Sequence, residues 1–204
     1  MDADRSFDSQ SSGRTEPDKD GIHIIPDFSV AHTVSKGLRR NGDLLVFHEC
    51  ITIILECKPA PSRSEYNRDN RNHELRQSLD EAHKQLLLYL AVYFTKEPAA
   101  KSVIAVASSG SYWHWMKVEK HEVPSLYFMK RYGSARLSDL ANVPVDDHED
   151  YIRYFGLMDR WASLGSVYNL GKPESDQALM RMRAGDLISV LQECRCQLPA
   201  SRKA

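Results

Sequence analysis

The chain has 204 residues, with 27 Lys plus Arg against 28 Asp plus Glu and a formal net charge of -1. That length suits one domain able to bury roughly 70% of its unfolded surface, so neither a disulfide nor a structural metal is required for folding. Hydrophobic residues at 42% and charged residues at 27% exclude global disorder, and the balanced charge excludes a broad cationic coat that binds nucleic acid by displacing counterions.

Residues 1–20 are polar, with three basic against six acidic side chains and no hydrophobic periodicity. A flexible tail is expected there. The β-branched stretch 22–34 reads as a first strand, and Asn41-Gly42 supplies turn chemistry after it. Extended stretches follow at 44–48 and 51–58. In the second of these, Ile51, Thr52, Ile53 and Ile54 favour a buried strand over a helix. A polar segment over 59–72 carries Arg63, Arg68 and Arg71, with Arg76 just beyond it.

From 73 to 94, Leu75, Leu79, Ala82, Leu86, Tyr89, Leu90 and Tyr93 recur at helical spacing, and Pro98 ends the pattern. Residues 102–108 and 112–119 read as a central strand and its partner, and 125–132 as a weaker strand. Tyr151, Tyr154, Phe155, Met158 and Trp161 trace one later helix face. Met180, Ala184, Leu187, Leu191, Cys194 and Leu198 trace another, with Gly185 as a weak point. The order predicts an α/β or α+β domain on a mixed central sheet flanked by helices. Residues 21–132 form its core, and 133–204 a helical C-terminal extension packed on the same domain.

Cys50, Cys57, Cys194 and Cys196 make no CxxC pair and no combination with histidine at zinc-finger spacing. Reduced thiols in an intracellular protein, nuclear or cytoplasmic, are expected. The acidic, polar start is unlike a signal peptide. The longest apolar run, Leu86 to Phe94, is far below the ~20 residues of a membrane span. No membrane partner is expected.

Three short patterns carry chemistry. Pro26-Asp27 lies in the first apolar stretch, Glu56-Cys57-Lys58 ends the third, and Gln85 and Tyr89 lie four apart on one helix face. Glu56 and Lys58 point to the same side of a strand. A carboxylate and an ammonium at the end of an Ile-Ile-Leu run are costly to bury unless compensated. A divalent cation held by Asp27 and Glu56 would compensate them, and hard oxygen ligands suit Mg²⁺ or Mn²⁺. Lys58 could then place a water or offset charge developing at phosphorus.

In this respect the chain resembles the PD-(D/E)XK nuclease superfamily, the restriction-endonuclease-like group that includes resolvases and RecB-like exonucleases. Pro26-Asp27 and Glu56-Cys57-Lys58 are similar to its two half-signatures, with 28 residues between the acids. Gln85-x-x-x-Tyr89 is similar to the QxxxY motif of the RecB-like branch. The resemblance covers about residues 21–118 and implies an α-β-β-β-α-β core. It also implies that Asp27, Glu56 and the Cys57 backbone carbonyl bind metal, that Lys58 is catalytic and that Gln85 orients it. The implied activity is metal-dependent hydrolysis of DNA or RNA. Apart from the resemblance, the position of the arginine-bearing segment between the Glu56-Cys57-Lys58 strand and the helix suggests Arg63, Arg68 and Arg71, with Tyr89, as phosphate contacts. One departure stands out. Many family members place a further acid on a helix before the first strand, where this chain has its polar tail.

Local alternatives stay open beside these roles. Asp27 could form an Asx-type turn after proline, Glu56 and Lys58 a solvated same-face ion pair, and Gln85 a polar neighbour of an apolar stripe. The arginines alternate with Glu65, Asp69 and Glu74, as in a solvated loop. Trp113 and Trp115 could stack on bases, although core packing fits them better. Asp146 to Asp150 suits an acidic first helical turn better than a metal site. The competing functions are therefore a catalytically degenerate nuclease-fold binding module, or an interaction domain that docks a protein partner or a second copy of itself.

Overall fold

The computed structural model describes residues 26–38, 44–61, 68–133, 143–163 and 167–194. The Ile51–Ile54 run lies in β2 (Leu44–Lys58), one 15-residue strand where two are expected from the sequence. β2 pairs antiparallel with β1 (Phe28–Leu38) and parallel with β3 (Ser102–Ser109). β4 (Tyr112–Glu119) and the two-residue β5 (Tyr168–Asn169) extend the sheet antiparallel, giving the order β1-β2-β3-β4-β5. A parallel β2–β3 pair needs a long crossover, and α1 (Arg68–Lys96) supplies it.

β2 stays continuous because a bulge absorbs its change of pattern. Val30 faces Ile53 and Ala31 faces Ile51, so Thr52 has no cross-strand partner. Thr52 Oγ1 donates to the Val30 carbonyl at 3.0 Å. The extra residue reverses the alternation of faces. Ile53 and Leu55 pack on one side of the sheet, whereas Ile54 and Ile51 pack on the other.

Residues 125–132 are not a strand. Leu126–Tyr132 is a helix, α2, because Ser125 caps it by accepting from the Phe128 amide at 3.1 Å. Phe128 and Met129 bury one side of that turn, while Tyr127 stays exposed. Aromatic residues with strand propensity conceal this helical spacing. The Ser125 amide in turn donates to Asp150 at 2.9 Å. Asp150 lies in the first turn of α3 (His148–Ser163), with Glu149 beside it, so these acids serve helix entry and packing.

α4 (Pro173–Met182) and α5 (Ile188–Glu193) are joined by a π-helical turn, Arg183–Leu187, that contains Gly185. α1, α2 and α3 cover one sheet face, against Ile54, Val103, Ala105, Ala107, Met116 and Val118. α4 and α5 cover the other, against Ile104, Val106 and Trp113. The fold is α+β, with a mixed sheet flanked by helices on both faces. Trp113 Nε1 donates to Ser175 and Trp115 Nε1 to Asp186, so both indoles belong to the packing under α4 and α5. Among the described residues, no helix is long and apolar enough to cross a membrane.

Candidate active site

Antiparallel pairing of Phe28 with Leu55 places Asp27, the residue just before β1, across from Glu56. The Asp27 carboxylate accepts a hydrogen bond from the Cys57 amide at 2.7 Å. Glu56 is 3% exposed, because its strand position turns it under α1. Its Oε1 accepts from Lys58 Nζ at 2.9 Å. Its Oε2 is buried and has no well-formed hydrogen bond. A buried carboxylate oxygen without a well-formed hydrogen bond costs free energy, and besides a ligand only the neighbouring Tyr89 phenol acts on this carboxylate from α1.

α1 runs antiparallel to β2 and supplies the next layer. Gln85 Oε1 accepts from Lys58 Nζ at 2.6 Å. One turn on, Tyr89 has its phenol pushed well above the usual range, first by burial, then by the charge of the Glu56 carboxylate and a hydrogen-bonding interaction with it, with Asp27 adding a smaller effect. Another turn on, the Tyr93 hydroxyl donates to the Ile51 carbonyl at 2.9 Å. The four-residue spacing that aligns Gln85 with Tyr89 thus sets them along β2, over Lys58 and Glu56. Asp27, Glu56, Cys57, Lys58, Gln85 and Tyr89 all meet at one end of the sheet.

The strand end is held from the other side by the β3–β4 turn. The Gly110 amide donates to the Lys58 carbonyl at 3.0 Å, and Ser109 Oγ to the Pro59 carbonyl at 2.8 Å. Gly110 has φ +58°, and a Cβ there would lie 2.5 Å from Ala60 Cβ. Gly110→Ala is therefore expected to cost about 1–3 kcal/mol, from strained backbone and forced displacement of residue 60. Urea unfolding checks the loss, and a wild-type midpoint would show that the turn tolerates the contact.

The arginines are less concentrated at this site. Arg63 lies outside the described residues, and Arg68 begins α1. Arg71 is exposed and stands 14 residues before Gln85, about 21 Å along the helix axis. Any role it has is on a distant part of a long ligand.

Two further clusters had no signal in the sequence spacing. His32, His48 and Cys50 bring their ligand atoms within 4.8 Å of one another. His83 on α1 and His114 on β4 pair inside the core, Nε2 to Nε2, at 2.6 Å. The expectation of four reduced thiols is also revised. Cys50 and Cys57 are free, but Cys194 is disulfide-bonded.

Chemically, the sheet-end site offers an exposed carboxylate and a buried carboxylate with one oxygen lacking a well-formed hydrogen bond. An ammonium is held by two partners beside them. Hard oxygen donors of this kind fit Mg²⁺ or Mn²⁺. Compared with protein-family models, with curated proteins and with solved structures, the chain gives no match.

Proposed function

We propose that the protein is a metal-dependent nuclease that hydrolyses phosphodiester bonds of DNA or RNA. The observation that carries this reading is the buried Glu56 carboxylate, whose Oε2 has no well-formed hydrogen bond, across from Asp27, with Lys58 paired to it and Gln85 joined to Lys58. Asp27, Glu56 and the Cys57 carbonyl would hold Mg²⁺ or Mn²⁺. When bound, the ion would polarise a phosphate oxygen and make an attacking water more acidic.

The chain's own residues do the rest. Glu56 Oε1 and Gln85 fix the Lys58 ammonium from two sides, so its remaining proton is aimed rather than free to rotate. That ammonium can hold the attacking water or oppose charge developing at phosphorus. Tyr89 keeps its phenolic proton and stays a neutral donor next to Glu56. The exposed first turns of α1, with Arg71 and Arg76, offer distant phosphates a grip.

One observation favours the binding-module reading. Lys58 is already paired with Glu56, as a purely structural ion pair would be. Cleavage of double-stranded DNA, single-stranded DNA and RNA with Mg²⁺ or Mn²⁺ separates the two. Wild type should cut at least one substrate, and Asp27→Ala should lose nearly all of that activity. Equal cutting by both proteins overturns the site. Nucleic-acid binding without cutting by a wild type that takes up Mn²⁺ supports the module instead.

A further inference from the structure

The second cluster depends on the β2 bulge. Under strict alternation His48 and Cys50 would share a face with Glu56. With Thr52 as the extra residue, the face reverses, and both turn toward the end of α5. Cys50 stands opposite His32 in the β1–β2 ladder, and His48, two residues earlier on β2, is opposite Val34. Two strands thus present three ligand atoms to one point.

A fourth atom closes the group. Cys194, at the C-terminal end of α5, places its sulfur 3.0 Å from His48 Nε2 and 3.1 Å from the Cys50 sulfur. The Cys50 sulfur is 3.9 Å from His32 Nδ1. Tetrahedral Zn²⁺ with Zn–S near 2.3 Å and Zn–N near 2.0 Å separates its ligands by about 3.3–3.8 Å. The spacings straddle that range, so adjustments of under about 1 Å would seat an ion. Two imidazoles and two sulfurs suit a borderline-soft cation rather than the hard Mg²⁺.

The surroundings fit a cation as well. Glu97 borders the same cleft as Cys50. That cleft, bordered also by His48, Tyr93, Lys101 and Cys194, provides an entry path from solvent.

We propose that His32, His48 and Cys50 form a Zn²⁺ site separate from the Asp27–Glu56 site, with the Cys194 sulfur as fourth ligand once its disulfide is reduced. The bound ion ties the β1–β2 arm to the end of α5, two parts of the chain more than 140 residues apart. Reduction by a phosphine is balanced. The S–S bond takes two electrons and gives two thiols, while the phosphine takes the oxygen of one water to become phosphine oxide. The Cys50 and Cys194 thiols release their protons to solvent as they bind the ion.

The test titrates the full chain with Zn²⁺ and with Co²⁺ after phosphine treatment. One equivalent of Zn²⁺ should bind and raise the Tm by about 5 °C or more. Co²⁺ should show thiolate charge-transfer absorption. Cys50→Ser should lower that absorption by about half or more, and His48→Ala should weaken binding by about 100-fold. Glu56→Gln should leave both signals unchanged, which separates this site from the other. Absence of Zn²⁺ binding by reduced wild type overturns the proposal, as does wild-type affinity in both Cys50→Ser and His48→Ala. Equal affinity before and after phosphine treatment overturns the role of Cys194.

Discussion

Lys58→Ala is expected to lower the rate of phosphodiester cleavage by about 10²–10⁴-fold while leaving Mn²⁺ affinity unchanged or somewhat tighter. The two effects separate because Lys58 is tied to both the proposed chemistry and the charge of Glu56. Its Nζ lies 2.9 Å from Glu56 Oε1, with the Glu56 side chain 4% exposed. Removing the ammonium removes the group that would aim water or oppose charge at phosphorus. It also leaves a buried carboxylate without its counter-charge, and that carboxylate then attracts a divalent cation more strongly.

The buried pair also has a stability signature. Without metal, Lys58→Ala should lose about 3 kcal/mol, the usual cost of breaking one side of a buried pair. Saturating Mn²⁺ should restore much of that loss. Calorimetric titration with Mn²⁺, urea unfolding with and without the ion, and single-turnover cleavage measure the three quantities independently. Unchanged cleavage by Lys58→Ala would remove Lys58 from the chemistry, whatever the metal data show. Weaker Mn²⁺ binding would show that the ammonium organises the site rather than competes with the ion.

Acid should destabilise the fold steeply between about pH 6.5 and pH 4, through the His83–His114 pair. Both rings are buried. Burial pushes His83 down to about 3, with the charge of His114 adding to it, and pushes His114 down to about 4. The unfolded chain binds these protons from pH 6.5 downward, whereas the folded chain refuses them until near pH 4. Stability therefore is fully present above pH 6.5 and is lost as pH falls through that window. At pH 5 the loss amounts to about 2 kcal/mol for each imidazole.

Packing explains why the rings cannot escape. The His83 ring stacks on Trp161 with centroids 4.6 Å apart, and His114 Nδ1 is buried without a partner. The Asp80 carboxylate stands 3.9 Å from His83 Nδ1, and it lies mostly in solvent, where it offers weak compensation. Urea midpoints at pH 7.5 and pH 5 should differ strongly in wild type and much less in the His83→Phe, His114→Leu double variant. The comparison uses the pH slope, so a variant of lower absolute stability still answers it. An equal slope in both proteins would locate the acid sensitivity elsewhere.

Much of the frame was legible locally. The apolar spacing from Leu75 to Tyr93 marks a helix whose buried stripe includes Leu79, Ala82, Leu86 and Leu90. Residues 112–119 form the strand their alternation suggests. The two-residue spacing of Glu56 and Lys58 is enough to join them as an ion pair. Three features were not legible in this way. A capping serine and the anchor at Asp150 make residues 126–132 helical. One strand replaces two because Thr52 is accommodated as a bulge, so two strands precede α1 among the described residues where the family resemblance implies three. The arginines alternate with acids in sequence, and only the length of α1 reveals how far Arg71 stands from Gln85.

Residue spacing alone says which groups can share a face: Glu56 with Lys58 at strand period, and Gln85 with Tyr89 at helix period. Those relations are set by backbone geometry within a single element. That Asp27 meets the Cys57 amide and that Gln85 reaches Lys58 follows from the assembled fold. So does the convergence of His32, His48 and Cys50. Each of these depends on strand register and helix placement, which hydrogen bonds and packing between distant segments select. A one-residue slip in β2 is enough to send a side chain to the opposite face.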